Sequence, residues 1–198
     1  TDYLDILLIH RPDALVEPEE VAAAFDELER KGKVRHFGVS NHDPMQIELL
    51  KKAVRQPLLI DQLQFSIPVS NMVAGGLEVN METPGSVNRD GSVLDYARLH
   101  DITIQAWSPF QSPNWSGCFL GDARYPELNQ ELNALGEQYN ASATAIAAAW
   151  ILRHPARMQL ITGTAKESRL LEILRASDIQ LTREEWYRLY LAAGHPLP

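Results

Sequence analysis

Cysteine is nearly absent from this sequence, since Cys118 is the only one among 198 residues. A single cysteine excludes a framework of internal disulfides. A lone thiol is typical of a reducing compartment, so we expect the protein to be cytoplasmic. Long apolar runs are missing too, because none approaches the roughly 20 residues that a membrane-spanning helix needs. We therefore expect no segment embedded in a membrane.

Positive charge is also scarce. The 18 lysines and arginines are outnumbered by 26 aspartates and glutamates, which gives a net charge of −8 at pH 7. A nucleic-acid surface needs a basic stripe, and an anionic membrane attracts basic clusters, so neither is an expected partner. Six histidines are present, but none stands in a ligand spacing with cysteine, aspartate or glutamate, and we predict no metal site.

Short apolar segments alternate with helical patterns along the whole chain. Strands are predicted at residues 4–9, 34–39, 58–63, 102–107 and 159–161. Helices are predicted at residues 18–31, 43–54, 92–100, 126–139, 142–153, 165–175 and 182–193. This alternation is typical of a parallel sheet with helices outside it, and it predicts an α/β fold in one domain over residues 1–198.

Two long connections interrupt the pattern, at residues 65–88 and 110–124. An irregular loop longer than about 12–15 residues in a compact domain is usually functional or mobile. In folds of this kind, the loops after the strands determine the substrate. Three aromatic residues therefore become candidates for an apolar substrate lining, namely Trp115, Phe119 and Tyr125. Trp115 can equally pack against its own loop.

The first predicted strand ends at a group of polar residues. The apolar run over residues 6–9 is long enough for a strand buried on both faces, and Pro12 forbids its continuation. His10 therefore lies where a buried strand meets a loop, which in a parallel sheet is the edge that carries the chemistry. The alternative is a histidine that caps the strand by hydrogen bonding to a neighbouring carbonyl.

Five strands are too few for a closed barrel. An eight-stranded barrel usually needs about 250 residues, and an open five-stranded sheet leaves two unpaired edges. We therefore expect an amino-terminal part of the fold to lie outside this sequence, or to be supplied by another chain or another copy of this one.

Four strand ends together form a recognisable pattern, and a fifth follows with Arg169 downstream. The motifs are Leu7-Leu8-Ile9-His10-Arg11-Pro12-Asp13, Gly38-Val39-Ser40-Asn41, Asp61-Gln62-Leu63-Gln64-Phe65-Ser66, Ile104-Gln105-Ala106-Trp107-Ser108-Pro109-Phe110 and Ile161-Thr162-Gly163-Thr164. This pattern resembles the aldo-keto reductase family, in its bacterial oxidoreductase branch. The resemblance implies a (β/α)₈ TIM barrel of which this chain holds strands 4–8. It also implies hydride transfer between NADPH or NADP⁺ and the carbonyl of a small aldehyde or ketone.

The same resemblance implies roles for individual residues. His10 matches the active-site histidine, which faces the substrate oxygen as negative charge develops there. The positions that bind the nicotinamide carboxamide, stack on its ring and follow the pyrophosphate are Ser40, Asn41, Gln62, Trp107, Ser108 and Phe110. The positions that hold the 2′-phosphate and contact the adenine are Thr164, Lys166, Arg169 and Glu172. Strand-end capping remains the alternative for Ser40 and Asn41, and core filling for Trp107.

The family's chemistry uses an aspartate, a tyrosine, a lysine and a histidine, of which only the histidine has a match here. Tyr3 stands seven residues before His10, so along a strand the two are roughly 23 Å apart and Tyr3 cannot serve as the acid. We expect this chain to be inactive in isolation. Two other hypotheses remain, a non-catalytic nucleotide-binding partner subunit of the same fold and an unrelated phosphate-binding barrel.

Overall fold

The computed structural model describes residues 1–197 and contains a five-stranded parallel sheet in sequential order. Its strands are β1 (Leu4–Ile9), β2 (Val34–Ser40), β3 (Leu58–Gln64), β4 (Thr103–Trp107) and β5 (Met158–Leu160). Every neighbouring pair is parallel. The predicted α/β architecture and all five predicted strands are therefore confirmed, with boundaries that differ by at most one residue at each end.

Eight helices accompany the sheet in the described part of the chain. They are α1 (Pro18–Arg30), α2 (Pro44–Lys51), α3 (Asn71–Leu77), α4 (Val93–Leu99), α5 (Pro126–Tyr139), α6 (Ala143–Leu152), α7 (Glu167–Leu174) and α8 (Arg183–Ala192). None of the helices within residues 1–197 is long and apolar enough to span a bilayer.

Local sequence chemistry explains where several helices begin. Pro44 occupies the first turn of α2, where a missing N–H costs nothing. Asp43 and Gln46 form a reciprocal capping box at the same end. Thr182 and Glu185 form a second capping box, at the start of α8. Because these caps satisfy N–H groups that the helix leaves unpaired, they fix the start of each helix.

Two predictions about helices were wrong. The connection at residues 65–88 is not structureless, since it contains α3 and a short 3₁₀ turn, Pro84–Ser86. The second predicted helix ends at Lys51 rather than near Val54. Val54 is nevertheless only 4% exposed, so the periodicity recognised a buried position beyond the end of the helix.

The core lies between the helices and one face of the sheet. Helix α6 is almost wholly buried, and Trp150 packs parallel to Trp186 of α8 with ring centroids 4.6 Å apart. Each indole N–H donates to the backbone carbonyl of the other tryptophan, at 3.0 and 2.9 Å. This reciprocal pair satisfies both buried donors and fixes α8 on α6.

Strand β1 does not have the two buried faces that its apolar run predicted. Leu4 is 47% exposed and Ile6 40% exposed, while Leu7 and Ile9 pack against the core. The reason is that, within residues 1–197, the helices cover one face of the sheet at this strand and leave the other in contact with solvent. Side chains alternate along a strand, so one set reaches the core and the other faces solvent.

Gly38 allows β2 to approach β3 closely. A Cβ atom at this position would lie 2.6 Å from the carbonyl oxygen of Ile60 and 2.7 Å from Cδ2 of Leu8. The pairing register of β2 and β3 shifts between Phe37 and Val39, next to this glycine. Beyond the shift, Ser40 pairs with Gln62, so the polar ends of the two strands lie side by side.

Candidate functional site

The carboxyl ends of β2, β3 and β4 meet in a chain of hydrogen bonds. Ser40 Oγ donates to the carbonyl oxygen of Gln62 at 2.9 Å, and Asn41 Nδ2 donates to Ser40 Oγ at 2.8 Å. The indole N–H of Trp107 then donates to Asn41 Oδ1 at 3.1 Å. The structure therefore brings together four of the residues that the sequence singled out, from three neighbouring strands.

Backbone conformation directs these side chains. Asn41 has a φ of 58° and Ser108 a φ of 51°, both in the left-handed region. Asparagine tolerates this region better than most residues, because its short polar side chain can hydrogen-bond locally. The backbone N–H of Asn41 also donates to the backbone carbonyl oxygen of Gln62 at 3.0 Å, so β2 remains bonded to β3 as it turns.

A row of glutamines crosses the sheet at the level of Gln62. Gln62 pairs in register with Gln105, and Gln105 with Gln159. The Gln62 amide donates to Gln105 Oε1 at 3.1 Å, and the Gln105 amide donates to Gln159 Oε1 at 3.1 Å. This row fixes the orientation of Gln62 and leaves its amide oxygen as an acceptor for a ligand. Gln105 and Gln159 were missed as site residues, although each stands on a predicted strand.

Asp61 lies behind this row and is fully buried. Among residues 1–197, neither of its carboxyl oxygens has a well-formed hydrogen bond. Burial raises the pKa of Asp61 to about 7, and the nearby backbone N–H groups of His42 and Asn41 only partly oppose the shift. A carboxyl group in apolar surroundings favours its neutral form. The sequence placed Asp61 in a strand motif but did not reveal its burial.

Trp107 forms one wall of a cleft beyond the end of β4. The cleft has a volume of about 400 Å³ and is also lined by Ser108, Phe110, Cys118, Ile161 and Gly163. It connects the end of β4 with the loop after β5 that carries Thr164. Ser108 and Phe110, predicted along the pyrophosphate, therefore lie beside Trp107.

Trp115 covers one face of Trp107. Their rings stack with centroids 5.4 Å apart and an interplanar angle of 20°, and Trp115 is 67% exposed. Trp115 thus packs on the candidate site rather than only against its own loop. Phe119 is different, because it is completely buried in the core. The prediction that Phe119 lines the substrate site was wrong, and Tyr125 is partly buried beside the core.

The predicted phosphate residues surround the start of α7. Thr164 Oγ1 accepts a hydrogen bond from the backbone N–H of Lys166 at 3.2 Å, and Lys166 is the N-cap residue. Lys166 and Arg169 are both exposed. A helix N-terminus with two cations that form no ion pair within residues 1–197 is a favourable environment for an anion, although Glu167 in the first turn partly offsets it.

Glu172 and His10 are not part of the hydrogen-bonded group of Ser40, Asn41, Gln62 and Trp107. Glu172 Oε2 accepts a hydrogen bond from Ser142 Oγ at 3.4 Å. The Glu172 side chain lines a separate cleft of about 660 Å³ between α5, α6 and α7. His10 is exposed directly after β1, at the level of Ser40, because Ile9 pairs with Val39. Its ring makes no hydrogen bond within residues 1–197, so it does not cap the strand.

Comparison with known proteins identifies the relatives of this chain. Residues 1–190 match the model of the aldo/keto reductase family. Oxidoreductase YdhF of Escherichia coli is 36% identical over 100% of this chain and 60% of its own length. The 6-dehydroglucose reductase of Agrobacterium fabrum is 33% identical over 98% of this chain and 58% of its own length. The chain therefore spans about three fifths of the length of the curated relatives it matches.

Solved structures agree with this assignment. The thermostable aldo-keto reductase Tm1743, solved with the inhibitor epalrestat, matches with a TM-score of 0.72 and 27% identity, covering 97% of this chain and 61% of that one. An aldo-keto reductase of Klebsiella pneumoniae in complex with NADPH shows the same fold at 22% identity, with a TM-score of 0.75. The hypothesis of an unrelated phosphate-binding barrel was therefore wrong. The chain belongs to the aldo/keto reductase family.

Proposed function

We propose that this chain carries the cofactor-binding half of an NADPH-dependent oxidoreductase, which transfers a hydride between nicotinamide and the carbonyl of a small aldehyde or ketone. The observation that carries the proposal is the hydrogen-bonded group of Ser40, Asn41, Gln62 and Trp107 at one end of the sheet. Two relatives named as reductases of 6-dehydroglucose and one solved relative in complex with NADPH support it.

The chemistry of these side chains fits the nicotinamide end of the cofactor. A carboxamide needs both donors and acceptors at fixed positions, and the amide groups of Asn41 and Gln62 supply both. The flat indole of Trp107 provides an aromatic surface. Trp115 covers one face of this indole, so an aromatic ligand would use its other face or displace Trp115. NADPH would supply the hydride, and the protein the orientation and electrostatics.

The other end of the cofactor fits the loop after β5. In this proposal Thr164, Lys166 and Arg169 hold the 2′-phosphate, because a guanidinium group can bind phosphate through two parallel hydrogen bonds. Ser108 and Phe110 line the same cleft as Trp107 and Gly163, and in this proposal they follow the pyrophosphate. Glu172 contacts the adenine from the adjacent face of α7.

His10 completes the proposed site on the substrate side. As a donor toward the carbonyl oxygen, it stabilises the negative charge that develops during hydride addition. In our proposal the aspartate, tyrosine and lysine that the family resemblance implies come from the part of the relatives that the chain does not cover, or from another chain.

The test is to measure carbonyl reduction by the protein that carries this chain, with NADPH and with NADH, on a panel of aliphatic and aromatic aldehydes and ketones. We expect turnover with NADPH, and a His10→Gln variant that binds NADPH normally but has at least a tenfold lower kcat. Such a loss is in keeping with the about 10²–10³-fold effect of removing one donor from an oxyanion site. Tight NADPH binding without turnover of any substrate would overturn the enzymatic proposal.

That outcome would favour the second candidate, a non-catalytic nucleotide-binding partner subunit. One relative supports this alternative, since a fission yeast protein named as a putative voltage-gated potassium channel subunit beta is 25% identical over 88% of this chain. Such a subunit would retain the cofactor residues but would not need the proton-donating residues that have no match here.

A further inference from the structure

A further cleft lies among the helices, away from the strand ends that form the candidate cofactor site. It has a volume of about 360 Å³ and lies between α3, α4, α8 and the connection from α6 to β5. Small-molecule sites occupy about 300–1,000 Å³. Its apolar floor is formed by Met72, Val73, Leu77, Leu94, Trp186 and Tyr187. None of these residues belongs to the proposed cofactor site.

Three arginines surround this floor, Arg98 from α4, Arg153 at the end of α6 and Arg183 at the start of α8. We call this cleft the arginine cleft. Within residues 1–197, none of the three guanidinium groups forms an ion pair. In the described part of the chain, Asp95 is the only carboxylate that lines the cleft. A local excess of positive charge is unusual in a chain with a net charge of −8, and it favours an anionic ligand.

The positions of the arginines suit a ligand with one charged end. Arg98 and Arg183 are exposed at the rim, whereas Arg153 is half-buried. Arg153 Nε donates to the carbonyl oxygen of Leu181 at 2.5 Å, which holds its guanidinium in place. A planar guanidinium with donors in a fixed fork matches a carboxylate better than a flexible ammonium does.

His154 adds a neutral donor to the same cleft. Its Nδ1 accepts a hydrogen bond from the backbone N–H of Ala156 at 3.1 Å, so the proton of the neutral ring is on Nε2. Burial lowers the pKa of His154 to about 4, and the positive charge of Arg98 acts in the same direction. At neutral pH the ring therefore presents an N–H donor without a positive charge of its own.

We propose that the arginine cleft binds an amphipathic organic carboxylate, with the carboxylate among Arg98, Arg153 and Arg183 and the apolar body on Trp186 and its neighbours. The apolar floor distinguishes this ligand from a bare inorganic anion, which would leave that surface in contact with water. The arginines distinguish it from a neutral apolar compound, which would leave the positive charges uncompensated.

Calorimetric titration of the protein with octanoate, 1-octanol and inorganic phosphate tests this pairing of charge with apolar surface. We expect saturable binding of octanoate at one site, and at least about tenfold weaker binding of 1-octanol and phosphate, since each charge-assisted hydrogen bond changes affinity by that order. Absence of saturable octanoate binding, or equal binding of octanoate and 1-octanol, would overturn the proposal.

Substitution locates the site. The double variant R98Q/R183Q should weaken octanoate binding at least about tenfold. The double variant R157Q/R188Q is the control, because it removes the same charge from two arginines that pair with Asp101 and Glu131 outside the cleft. Both variants should bind NADPH like the parent protein, which separates this test from that of the cofactor site. Equal losses of octanoate affinity in the two variants would mean that only net charge matters, and would contradict the assignment.

A histidine titration provides an independent readout. Octanoate bound beside His154 should shift the Cε1–H NMR signal of this ring at pH 7, where the carboxylate is ionised. The measurement is the titration of this signal with octanoate, and the signal is assigned by its loss in H154Q. An unchanged signal at saturating octanoate would place the ligand elsewhere.

Discussion

The indole N–H of Trp107 donates to the side-chain oxygen of Asn41 at 3.1 Å, although the two residues lie 66 positions apart in the sequence. The bond joins the ends of β2 and β4 across β3. It fixes the indole and the amide relative to each other, so both can act as parts of one binding surface. Preorganisation of this kind reduces the entropy that ligand binding costs.

Substitution of Trp107 separates the hydrogen bond from the aromatic surface. Trp107→Phe keeps a flat ring but removes the donor, so we expect NADPH affinity to fall by about 0.5–1.5 kcal/mol. Trp107→Ala removes the ring as well, and should cost at least about 0.5–1.5 kcal/mol more. Calorimetric titration with NADPH measures both. Wild-type affinity in the phenylalanine variant would show that the Asn41 bond does not preorganise the site.

Substitution of Trp115 should change the KM for substrate rather than the free energy of unfolding. Trp115→Ala uncovers one face of Trp107, and because the side chain is 67% exposed, the free energy of unfolding should change by no more than about 0.5 kcal/mol. We expect the KM for a bulky aromatic aldehyde to change more than the KM for a small aliphatic one.

The buried neighbour Phe119 provides the contrast, because Phe119→Leu should lower the free energy of unfolding by about 0.5–3 kcal/mol and leave the ratio of the two KM values unchanged. Identical KM values for both substrates in Trp115→Ala and the parent protein would remove Trp115 from the substrate site.

Asp61 should make stability depend on pH. Its pKa is raised from 3.8 in the unfolded chain to about 7 in the fold, so between these values the folded state keeps a proton that the unfolded state has lost. The stability that this proton contributes is complete below about pH 4 and disappears as the pH rises to about 7. Asp61→Asn keeps the shape without ionising, and should be more stable than the parent above pH 7 by about 1–3 kcal/mol.

Urea unfolding of both proteins between pH 4 and 8 measures this difference. If the pKa of Asp61 is raised, the curves of unfolding free energy against pH for the two proteins converge toward pH 4 and separate as the pH rises. Curves that stay parallel over the whole range would show that Asp61 titrates normally.

Gly38 should not tolerate a side chain. Gly38→Ala places a Cβ atom 2.6 Å from the carbonyl oxygen of Ile60, so β2 and β3 must shift apart, at a cost of about 1–3 kcal/mol in unfolding free energy. Gly75→Ala is the matched control, because its Cβ meets nothing within 4 Å and it lies within α3. Alanine is favoured in a helix, so the control should be unchanged or slightly stabilised. Equal stability of the two variants would contradict the close strand approach.

The sequence predicted the sheet because the apolar runs that form its strands are short and are bounded by proline, glycine and polar residues. The family resemblance predicted the grouping of Ser40, Asn41, Gln62 and Trp107, and the edge that neighbouring parallel strands share explains why they meet. These are regularities of local pattern and topology. The functional roles of these residues, and of His10 and Arg169, remain predictions.

Tertiary packing determined what the sequence did not reveal. The exposure of Leu4 depends on which face of β1 the helices cover, and the burial of Asp61 depends on residues from adjoining elements that cover it. Phe119 was assigned to a substrate lining because it stands in a long loop, but that loop folds back and places it in the core. Helix α3 is short and contains two glycines, so its pattern was too weak to recognise.

The most direct test of the proposed NADPH site is the affinity of NADPH and NADH for the parent protein and for Arg169→Ala. The two cofactors differ only in the 2′-phosphate, so loss of the Arg169 contact should cost about 1.5–3 kcal/mol for NADPH and nothing for NADH. Arg157→Ala, which removes the same charge from an exposed residue paired with Asp101, should leave both affinities unchanged. Equal losses for NADPH and NADH in Arg169→Ala would contradict the account.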